Sequence, residues 1–228
     1  MKINVVVNAS YKSENRKKMS ISTKAKFITF EGIDGCGKST QAKLLLDRLV
    51  KNGYQGIMVR EPGGTSISEE IREILLQKNN RSMVSRTEAL LMTASRSQLT
   101  QEVIIPNLKK NRWVIADRYA DSTLAYQGGG RDINLEWLTK LNTFATFDLK
   151  PDCTFYIDIL PMEALRRRCD TTDRIEEEGD LFQKNVRQTY LELAKQYSDR
   201  IIILDGHKSE DEIHNSLWNE LKRRSFLK

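Results

Sequence analysis

The stretch "FEGIDGCGKST", residues 30 to 40, holds the residues whose types and spacing most clearly suit chemistry. Gly32, Gly37, Lys38 and Ser39 complete the pattern G-x-x-x-x-G-K-[ST], directly after a strand-like run and directly before a helical one. Glycines allow the tight turn in which backbone N–H groups converge on phosphate oxygens, and the following helix adds its N-terminal donors. In such a loop the lysine reaches the outer phosphates and the serine hydroxyl meets Mg²⁺. The pattern predicts a nucleoside triphosphate site; the alternative is a glycine-rich turn with a surface lysine.

A second stretch, "WVIADRYADSTLAYQGGGR", places an acid and a base side by side at the end of an apolar run. Asp117 closes that run, so it should lie at the carboxyl edge of a sheet beside the phosphate loop, where it can hold Mg²⁺ directly or through water. Arg118 can fork onto a phosphate and hold two repelling anions close together. The alternative for this pair is an ion pair that caps the strand end.

A phosphate loop indicates a nucleotide but not a reaction. A small-molecule kinase, a GTP-driven switch and the ATPase module of a larger machine all stay open on this motif alone. A GTP-driven switch should carry the motif N-K-x-D, which does not occur in this sequence. It should also carry D-x-x-G after a later strand, and the segment "ADRYAD" lacks this pattern. A machine ATPase should end a strand in adjacent acids, whereas Asp117 is followed by Arg118. The absence of both sets of motifs favours a small-molecule kinase.

Further charged positions indicate a second anionic substrate. "VREPGGT" ends another strand-like run in a turn with Glu61 and Pro62, and Arg72 follows on a helical segment. Met92 and Arg96 are four residues apart in "RTEALLMTASRSQ" and so share a helix face. Together these arginines exceed what one triphosphate needs, which is typical of a nucleoside monophosphate kinase.

Five motifs, in this order, resemble the thymidylate kinase family, whose members transfer the γ-phosphate of ATP to thymidine monophosphate. They are "FEGIDGCGKST", "REPGGT", "TEALLMTASR", "DRYADSTLAYQGGGR" and "DRIEEEGDLF", and the resemblance covers residues 26 to about 225. It implies an α/β fold of the P-loop NTPase type in three layers, with a five-stranded parallel sheet and helices on both faces. The family usually forms homodimers through helices, so a homodimer is expected here.

The resemblance also implies roles for individual residues. Asp34 would lie near the sugar 3′-hydroxyl and the transfer site, and Arg96 resembles the arginine that hydrogen-bonds thymine. The residues expected to bind ATP are Gly32, Ile33, Asp34, Gly35, Cys36, Gly37, Lys38, Ser39 and Thr40. Those expected to bind the acceptor are Glu61, Pro62, Arg72, Met92, Arg96, Arg118, Thr123 and Gln127. Ser39 and Asp117 are the expected Mg²⁺ ligands.

The arginine-rich run "ALRRRCDTTDRIEEEG", residues 164 to 179, resembles the lid that closes over ATP in this family. The phosphate loop has no arginine, so the lid should supply the catalytic one, as in the common bacterial group. Arg167 and Arg174 are the first candidates and Arg168 is the reserve; the alternative is a solvated charge run. The predicted catalytic set is Asp34, Lys38, Arg118, Arg167 and Arg174.

One position departs from the family pattern. Met92 stands where the family usually stacks a phenylalanine on the thymine ring, and a thioether packs on a ring with looser geometry. The departure leaves room for deoxyuridylate as an acceptor. Another nucleoside monophosphate or deoxynucleoside kinase is the alternative enzyme, and a P-loop protein that binds nucleotide without turnover is the alternative outside enzymes.

The elements that must position these residues follow from the hydrophobic pattern. Short apolar runs alternate with longer segments in which apolar residues recur every three or four positions, which indicates a buried parallel sheet with crossover helices. The predicted strands are "KFITFE", "GIMVRE", "RWVIAD", "CTFYIDI" and "RIIILD". The predicted helices are "KSTQAKLLLDRLVKN", "SISEEIREILLQ", "RTEALLMTASRSQLTQEVIIPNLKKN", "LEWLTKLNTFA" and "EGDLFQKNVRQTYLELAKQY".

Length and composition set the outer bounds. The 228 residues suit one domain, taken as 26–228, and 39% hydrophobic with 30% charged residues suits a globular protein. Residues 1–25 are basic, lack a helical apolar stripe and are expected to be a disordered tail. The net charge of +6 gathers in the tail and lid and forms no stripe with aromatics, so no nucleic-acid partner is expected.

Location is inferred from what the sequence lacks. No apolar run approaches the roughly 18 residues of a membrane span, so no membrane partner is expected. The three cysteines form no C-x-x-C pair, which favours a reducing compartment. We therefore expect a cytoplasmic enzyme that uses ATP and Mg²⁺.

Overall fold

A five-stranded parallel sheet forms the centre of the protein in the computed structural model, which describes residues 25–167 and 173–227. The strand order is β2-β3-β1-β4-β5. The strands are β1 (Phe27–Glu31), β2 (Gly56–Arg60), β3 (Trp113–Asp117), β4 (Cys153–Asp158) and β5 (Ile201–Asp205). All five predicted strands are confirmed. They could be predicted because a strand that is buried on both faces has a nearly continuous run of apolar residues.

Helices connect the strands. They are α1 (Lys38–Lys51), α2 (Ser66–Leu76), α3 (Ser85–Leu99), α4 (Ile105–Lys109), α5 (Ala120–Thr123), α6 (Leu135–Ala145), α7 (Pro161–Arg167), α8 (Asp180–Gln196) and α9 (Glu210–Arg223). A π-helical turn, Thr100–Ile104, joins α3 to α4, and a second π-helical segment, Leu124–Gly130, continues α5. The long helix predicted after Arg86 is therefore interrupted, and three helices were not predicted: α5, α7 and α9.

Both faces of the sheet are covered, as predicted. Neighbouring residues of a strand point to opposite faces, and Phe27 and Ile28 accordingly belong to two different hydrophobic clusters. The cluster with Ile28 includes residues of α1, α8 and α9, while the cluster with Phe27 includes residues of α3 and α4. The protein thus has the three layers expected of a P-loop fold.

The register of the sheet brings the ends of β1 and β3 together. Phe30 of β1 lies opposite Asp117 of β3, and Glu31 lies opposite Tyr156 of β4. Because β1 is the central strand, the phosphate loop that follows it emerges in the middle of the carboxyl edge. This is the edge at which open α/β sheets bind ligands.

Ala25 belongs to the fold, contrary to the prediction. Ala25 was assigned to the tail, but it is buried in the core and its backbone N–H donates to Asn111 Oδ1 at 2.9 Å. The rest of the predicted tail, residues 1–24, lies outside the described residues. Within the described ranges, no helix combines the length and the apolar character needed to cross a membrane.

Candidate active site

The phosphate loop links the end of β1 to the start of α1. Gly37 has a φ of 99° and directly precedes α1, so it turns the chain in a conformation that L-residues rarely adopt. At Gly32 a side chain would also meet the carbonyl oxygen of Ile157 at 2.7 Å. Lys38 is buried, and its Nζ donates to Ile33 O at 2.9 Å and lies 3.6 Å from Asp34 Oδ1. The loop therefore has the shape and the cation that a phosphate site requires.

Ser39 and Asp117 meet at the start of α1. The Ser39 hydroxyl donates to Asp117 Oδ2, so the two residues predicted to hold Mg²⁺ lie side by side. Both supply oxygen ligands, which Mg²⁺ prefers, and Mg²⁺ usually takes only one or two carboxylates together with substrate phosphates and water. The pair fits that requirement. Among the described residues, no group of three or more His, Cys, Asp or Glu could hold a metal on its own.

Arg118 is held against the phosphate loop. Its Nη2 lies 2.5 Å from Asp34 Oδ1 and donates to the Tyr126 hydroxyl at 2.9 Å, and that hydroxyl donates to Asp34 Oδ2 at 3.1 Å. Burial acts to lower the pKa of Arg118, but the neighbouring groups Asp34, Tyr126, Tyr190 and Asp117 together hold that pKa well above its ordinary value. Arg118 has a φ of 75°, a backbone conformation that residues other than glycine rarely adopt. The two predicted catalytic residues thus form one charged unit.

Glu31 is a buried acid that holds residues next to Arg118 in place. It accepts hydrogen bonds from the Tyr119 backbone N–H at 2.8 Å, the Ser122 hydroxyl at 2.5 Å and the Tyr190 hydroxyl at 2.7 Å. Ser122 in turn accepts from Arg118 Nη1 at 3.2 Å. Burial and the neighbouring charge of Asp121 raise the pKa of Glu31 to about 7.

The residues predicted to bind the acceptor line one side of a cavity, here called the acceptor wall, and Arg96 is the buried arginine of this wall. It is only 2% exposed, and each nitrogen of its guanidinium donates a hydrogen bond. The acceptors are Glu61 Oε2 for Nε, Tyr119 O for Nη2, and Thr123 Oγ1 and Asn142 Oδ1 for Nη1, and Nη2 also forms an ion pair with Glu61 Oε2 at 2.6 Å. Arg96 therefore holds several residues of this wall in place.

Glu61 uses one carboxylate oxygen to accept a hydrogen bond from Arg96, and its other oxygen has no partner among the described residues. Burial raises its pKa, against the effect of Arg96. Its Oε1 is buried without a hydrogen-bond partner among the described residues, so Glu61 contributes an acceptor to the wall. Arg72, further along this wall, is held by Pro62, whose carbonyl oxygen accepts from its Nη1 at 2.8 Å.

A second buried cluster centres on Glu88 of α3, which is 1% exposed. Its Oε1 accepts from Gln127 Nε2 at 3.0 Å and from Arg131 Nε at 3.1 Å. Its Oε2 accepts from Arg131 Nη2 at 3.1 Å and from Arg174 Nη2 at 2.6 Å. Although burial acts to raise the pKa of Glu88, hydrogen bonds from Arg131 and Gln127 hold it below its ordinary value. Glu88 therefore connects Arg174, a residue of the predicted lid, to Gln127 of the predicted acceptor site.

One cavity of about 490 Å³ joins the phosphate loop to the acceptor wall. All eight residues predicted to bind the acceptor line it, together with most of the phosphate loop. The lining includes Asp34, Gly35, Gly37, Lys38, Ser39, Thr40, Glu61, Pro62, Arg72, Met92, Arg96, Asp117, Arg118, Thr123, Gln127 and Arg167. The lining does not include Gly32, Ile33 or Cys36, and the last two have buried side chains that pack into the core.

The predicted lid arginines occupy different positions. Arg167, at the end of α7, lines the cavity, and its Nη1 donates to Gly206 O at 2.9 Å. Arg174 is 7% exposed and turned away to Glu88 and to Leu75 O, which accepts from its Nε at 2.9 Å. Arg168 lies outside the described residues.

Several residues of the site were not predicted. Glu31 directly precedes the phosphate loop, and Glu88 and Arg131 stand inside quoted motifs, so their positions were available in the sequence. Their roles were not, because each acts through a contact between residues at least 39 positions apart in the chain. Ser122 and Asp173 of the lining also became apparent only from the fold.

The parallel sheet, its strand order and the phosphate loop define a P-loop kinase-type protein. The family model described as thymidylate kinase matches residues 30–217. The chain is 51% identical over 188 residues to a thymidylate kinase of Thermosipho africanus, covering 82% of this chain and 92% of the relative. A thymidylate kinase of Caldanaerobacter subterraneus is 48% identical over 84% of this chain and 92% of its own length, and that of Acholeplasma laidlawii is 40% identical over 87% and 99%. The chain belongs to the thymidylate kinase family.

Proposed function

We propose that this protein transfers the γ-phosphoryl group of ATP to thymidine monophosphate and so forms thymidine diphosphate for dTTP synthesis. The observation that carries the proposal is the single cavity that opens both on the phosphate loop and on a wall with Arg72, Arg96 and Arg118. Two anionic substrates can meet there in line. The relatives at 40–51% identity, all described as thymidylate kinases, support the same activity.

Catalysis rests on positioning and on neutralisation of charge, because the acceptor oxygen is already an anionic phosphate and needs no strong general base. Lys38 and the loop N–H groups bind the ATP phosphates. Arg118, fixed by Asp34 and Tyr126, holds the acceptor phosphate close to them. Ser39 and Asp117 would hold Mg²⁺, which supplies charge neutralisation between the phosphates when bound.

The lid segment excludes water and adds positive charge. Closure over ATP would prevent hydrolysis from competing with transfer. Arg167 is the better placed catalytic arginine, since it lines the cavity. Arg174 is the second candidate and would have to leave Glu88 in order to act.

The protein is proposed to act as a homodimer. Leu90 of α3 and Trp137 and Phe144 of α6 expose apolar side chains, with Phe144 81% exposed, and α3 packs beside α6. A pair of such helices on each subunit would form an apolar interface. The cytoplasmic location expected from the sequence stays a prediction.

The test is an assay of ADP release with ATP, Mg²⁺ and a panel of nucleoside monophosphates, with the product identified by mass. Formation of thymidine diphosphate in step with ADP is the expected result. Turnover of deoxyuridylate alongside it is consistent with Met92 in place of a stacked aromatic ring. Preference for cytidylate would identify another monophosphate kinase, and ATP binding without any transfer would identify a nucleotide-binding protein that lacks turnover.

A further inference from the structure

Tyr190 of α8 places a buried hydroxyl between the end of β1 and Arg118. The side chain is only 2% exposed, and its hydroxyl donates to Glu31 Oε2 at 2.7 Å and lies 3.0 Å from Ser122 Oγ. Arg118 Nη1 donates to the Tyr190 oxygen at 3.5 Å and to Ser122 Oγ at 3.2 Å. Two oxygens, one from α8 and one from α5, therefore face the same nitrogen of the guanidinium.

The direction of these hydrogen bonds follows from the donors available. A guanidinium has no acceptor, so the Tyr190 oxygen must accept from Arg118. The single proton of the hydroxyl is then directed at Glu31, whose Oε2 lies closer to it than the Ser122 oxygen does. Glu31 therefore holds the Tyr190 hydroxyl in the orientation that presents a lone pair to Arg118.

The ring of Tyr190 is fixed by β4 independently of Arg118. It stacks on Tyr156, with ring centroids 4.9 Å apart and an interplanar angle of 20°. The Tyr156 hydroxyl donates to Asp158 Oδ1 at 2.8 Å, and both oxygens of Asp158 accept from Arg187, one turn before Tyr190 on α8. These four side chains, Tyr156, Asp158, Arg187 and Tyr190, hold α8 against β4 and are called the β4–α8 clamp.

The other terminal nitrogen of Arg118 contacts the opposite side of the site. Its Nη2 pairs with Asp34 of the phosphate loop and donates to the Tyr126 hydroxyl, and the guanidinium carbon lies 4.8 Å from the centre of the Tyr126 ring. A guanidinium held through one nitrogen can turn about that contact, whereas contacts at both terminal nitrogens fix its plane. Tyr190 and Ser122 supply the contacts at Nη1.

We propose that Tyr190 is a positioning residue: its hydroxyl, held by Glu31 and by the β4–α8 clamp, fixes the plane of the Arg118 guanidinium and thereby sets the contact of Arg118 with the phosphate of the acceptor nucleotide. The inference rests on the proposed function, which assigns Arg118 to that phosphate. It gives α8, the helix that directly follows the lid segment, a part in phosphate recognition. Tyr190 does not line the cavity, so it acts on a ligand through its neighbours.

The test compares the affinities for dTMP and for thymidine, measured by calorimetry, in wild type and in Tyr190→Phe. The two ligands differ only in the phosphate, so loss of the hydroxyl should weaken dTMP binding by about fivefold to tenfold and leave thymidine binding unchanged. General loosening of the site would weaken both. Tyr197→Phe is the matched control, since Tyr197 directly follows α8 and its hydroxyl accepts from Gln196 outside the cavity lining.

A second background shows whether Tyr190 acts through Arg118. In Arg118→Lys the guanidinium is absent, so adding Tyr190→Phe should change the dTMP affinity no further. An equal loss in both backgrounds would mean that Tyr190 acts by another route, and it overturns the proposal. Equal losses for dTMP and thymidine, or a Tyr190→Phe protein that binds dTMP as tightly as the Tyr197→Phe control, also overturn it.

A further variant keeps the proposal testable if Tyr190→Phe does not fold. Ser122→Ala removes the other oxygen that faces Nη1, and it should also weaken dTMP binding relative to thymidine binding. An unchanged ratio of the two affinities in Ser122→Ala then overturns the proposal. Wild type without turnover of dTMP would instead overturn the proposed function.

Discussion

At the scale of single residues, Glu31 makes folding sensitive to pH. The acid is fully buried beneath Arg118, and the groups that face it are Asp121, Ser122, Tyr190 and that arginine. Burial and Asp121 raise its pKa from the ordinary 4.5 to about 7, although Ser122 and Arg118 act in the opposite direction. Between these two pH values Glu31 keeps a proton in the native state that it has lost in the unfolded chain, so its contribution to the free energy of unfolding falls as the pH rises.

The substitution Glu31→Gln should remove this dependence. Glutamine retains an acceptor for the Tyr119 N–H but does not titrate, so between pH 4.5 and 7 the unfolding free energy of the variant should lack the decrease that Glu31 contributes to the wild type. The difference in slope should approach about one proton. Urea unfolding of both proteins at several pH values measures it, and parallel curves would contradict the raised pKa of Glu31.

At the scale of elements, the π-helical segment Leu124–Gly130 packs closely under α8. A Cβ at Gly129 would lie 2.0 Å from Thr189 Oγ1 and 2.9 Å from the backbone oxygen of Asn185, and the backbone cannot yield cheaply. Gly129→Ala should therefore lower the free energy of unfolding by about 1–3 kcal/mol. Gly179→Ala is the control, because nothing lies within 4 Å of its Cβ and its φ is −67°. Equal unfolding curves for the two variants would show that α8 can move aside.

The two lid arginines should respond differently to removal. Arg167→Ala takes a cavity-lining cation away and should lower kcat by about 10³-fold if it acts as an arginine finger does. Arg174→Ala removes one of two arginines that contact the buried Glu88 and should lower the free energy of unfolding by about 1–3 kcal/mol, because Arg131 still pairs with Glu88. Steady-state kinetics and urea unfolding on both variants separate the effects. Rates within a few-fold of wild type in both would exclude catalysis by these arginines.

The strands and most crossover helices could be predicted because their signals are local. The run at β1 is continuous in apolar residues, and the recurring apolar positions of α1 and α8 span several turns. The π-helical segments could not be predicted, because they depend on tertiary packing such as that of Gly129 on Thr189. In the site, side chains at strand ends were predictable from motif and order, whereas the supporting contacts of Glu88 and Arg96 depend on which segments meet in space.

At the scale of the whole molecule, the exposed apolar side chains of α3 and α6 predict self-association. Phe144→Asp should convert a dimer to a monomer, because it places a charge in an apolar interface, and it should leave the monomer folded since Phe144 makes few contacts at 81% exposure. Sedimentation velocity measures the mass. Val50→Asp, at a 55% exposed position on α1, is the control and should stay dimeric. A monomeric wild type would contradict the proposed assembly.

The buried contacts of Arg96 also bear on how this enzyme can evolve. Arg96 cannot be exchanged alone without leaving Glu61 or Asn142 short of a hydrogen-bond partner in the interior. Single substitutions at this position should first make the protein unstable. The arrangement of this wall is therefore inherited together with the stability of the fold, and lineages that depart from it must change several interior positions together.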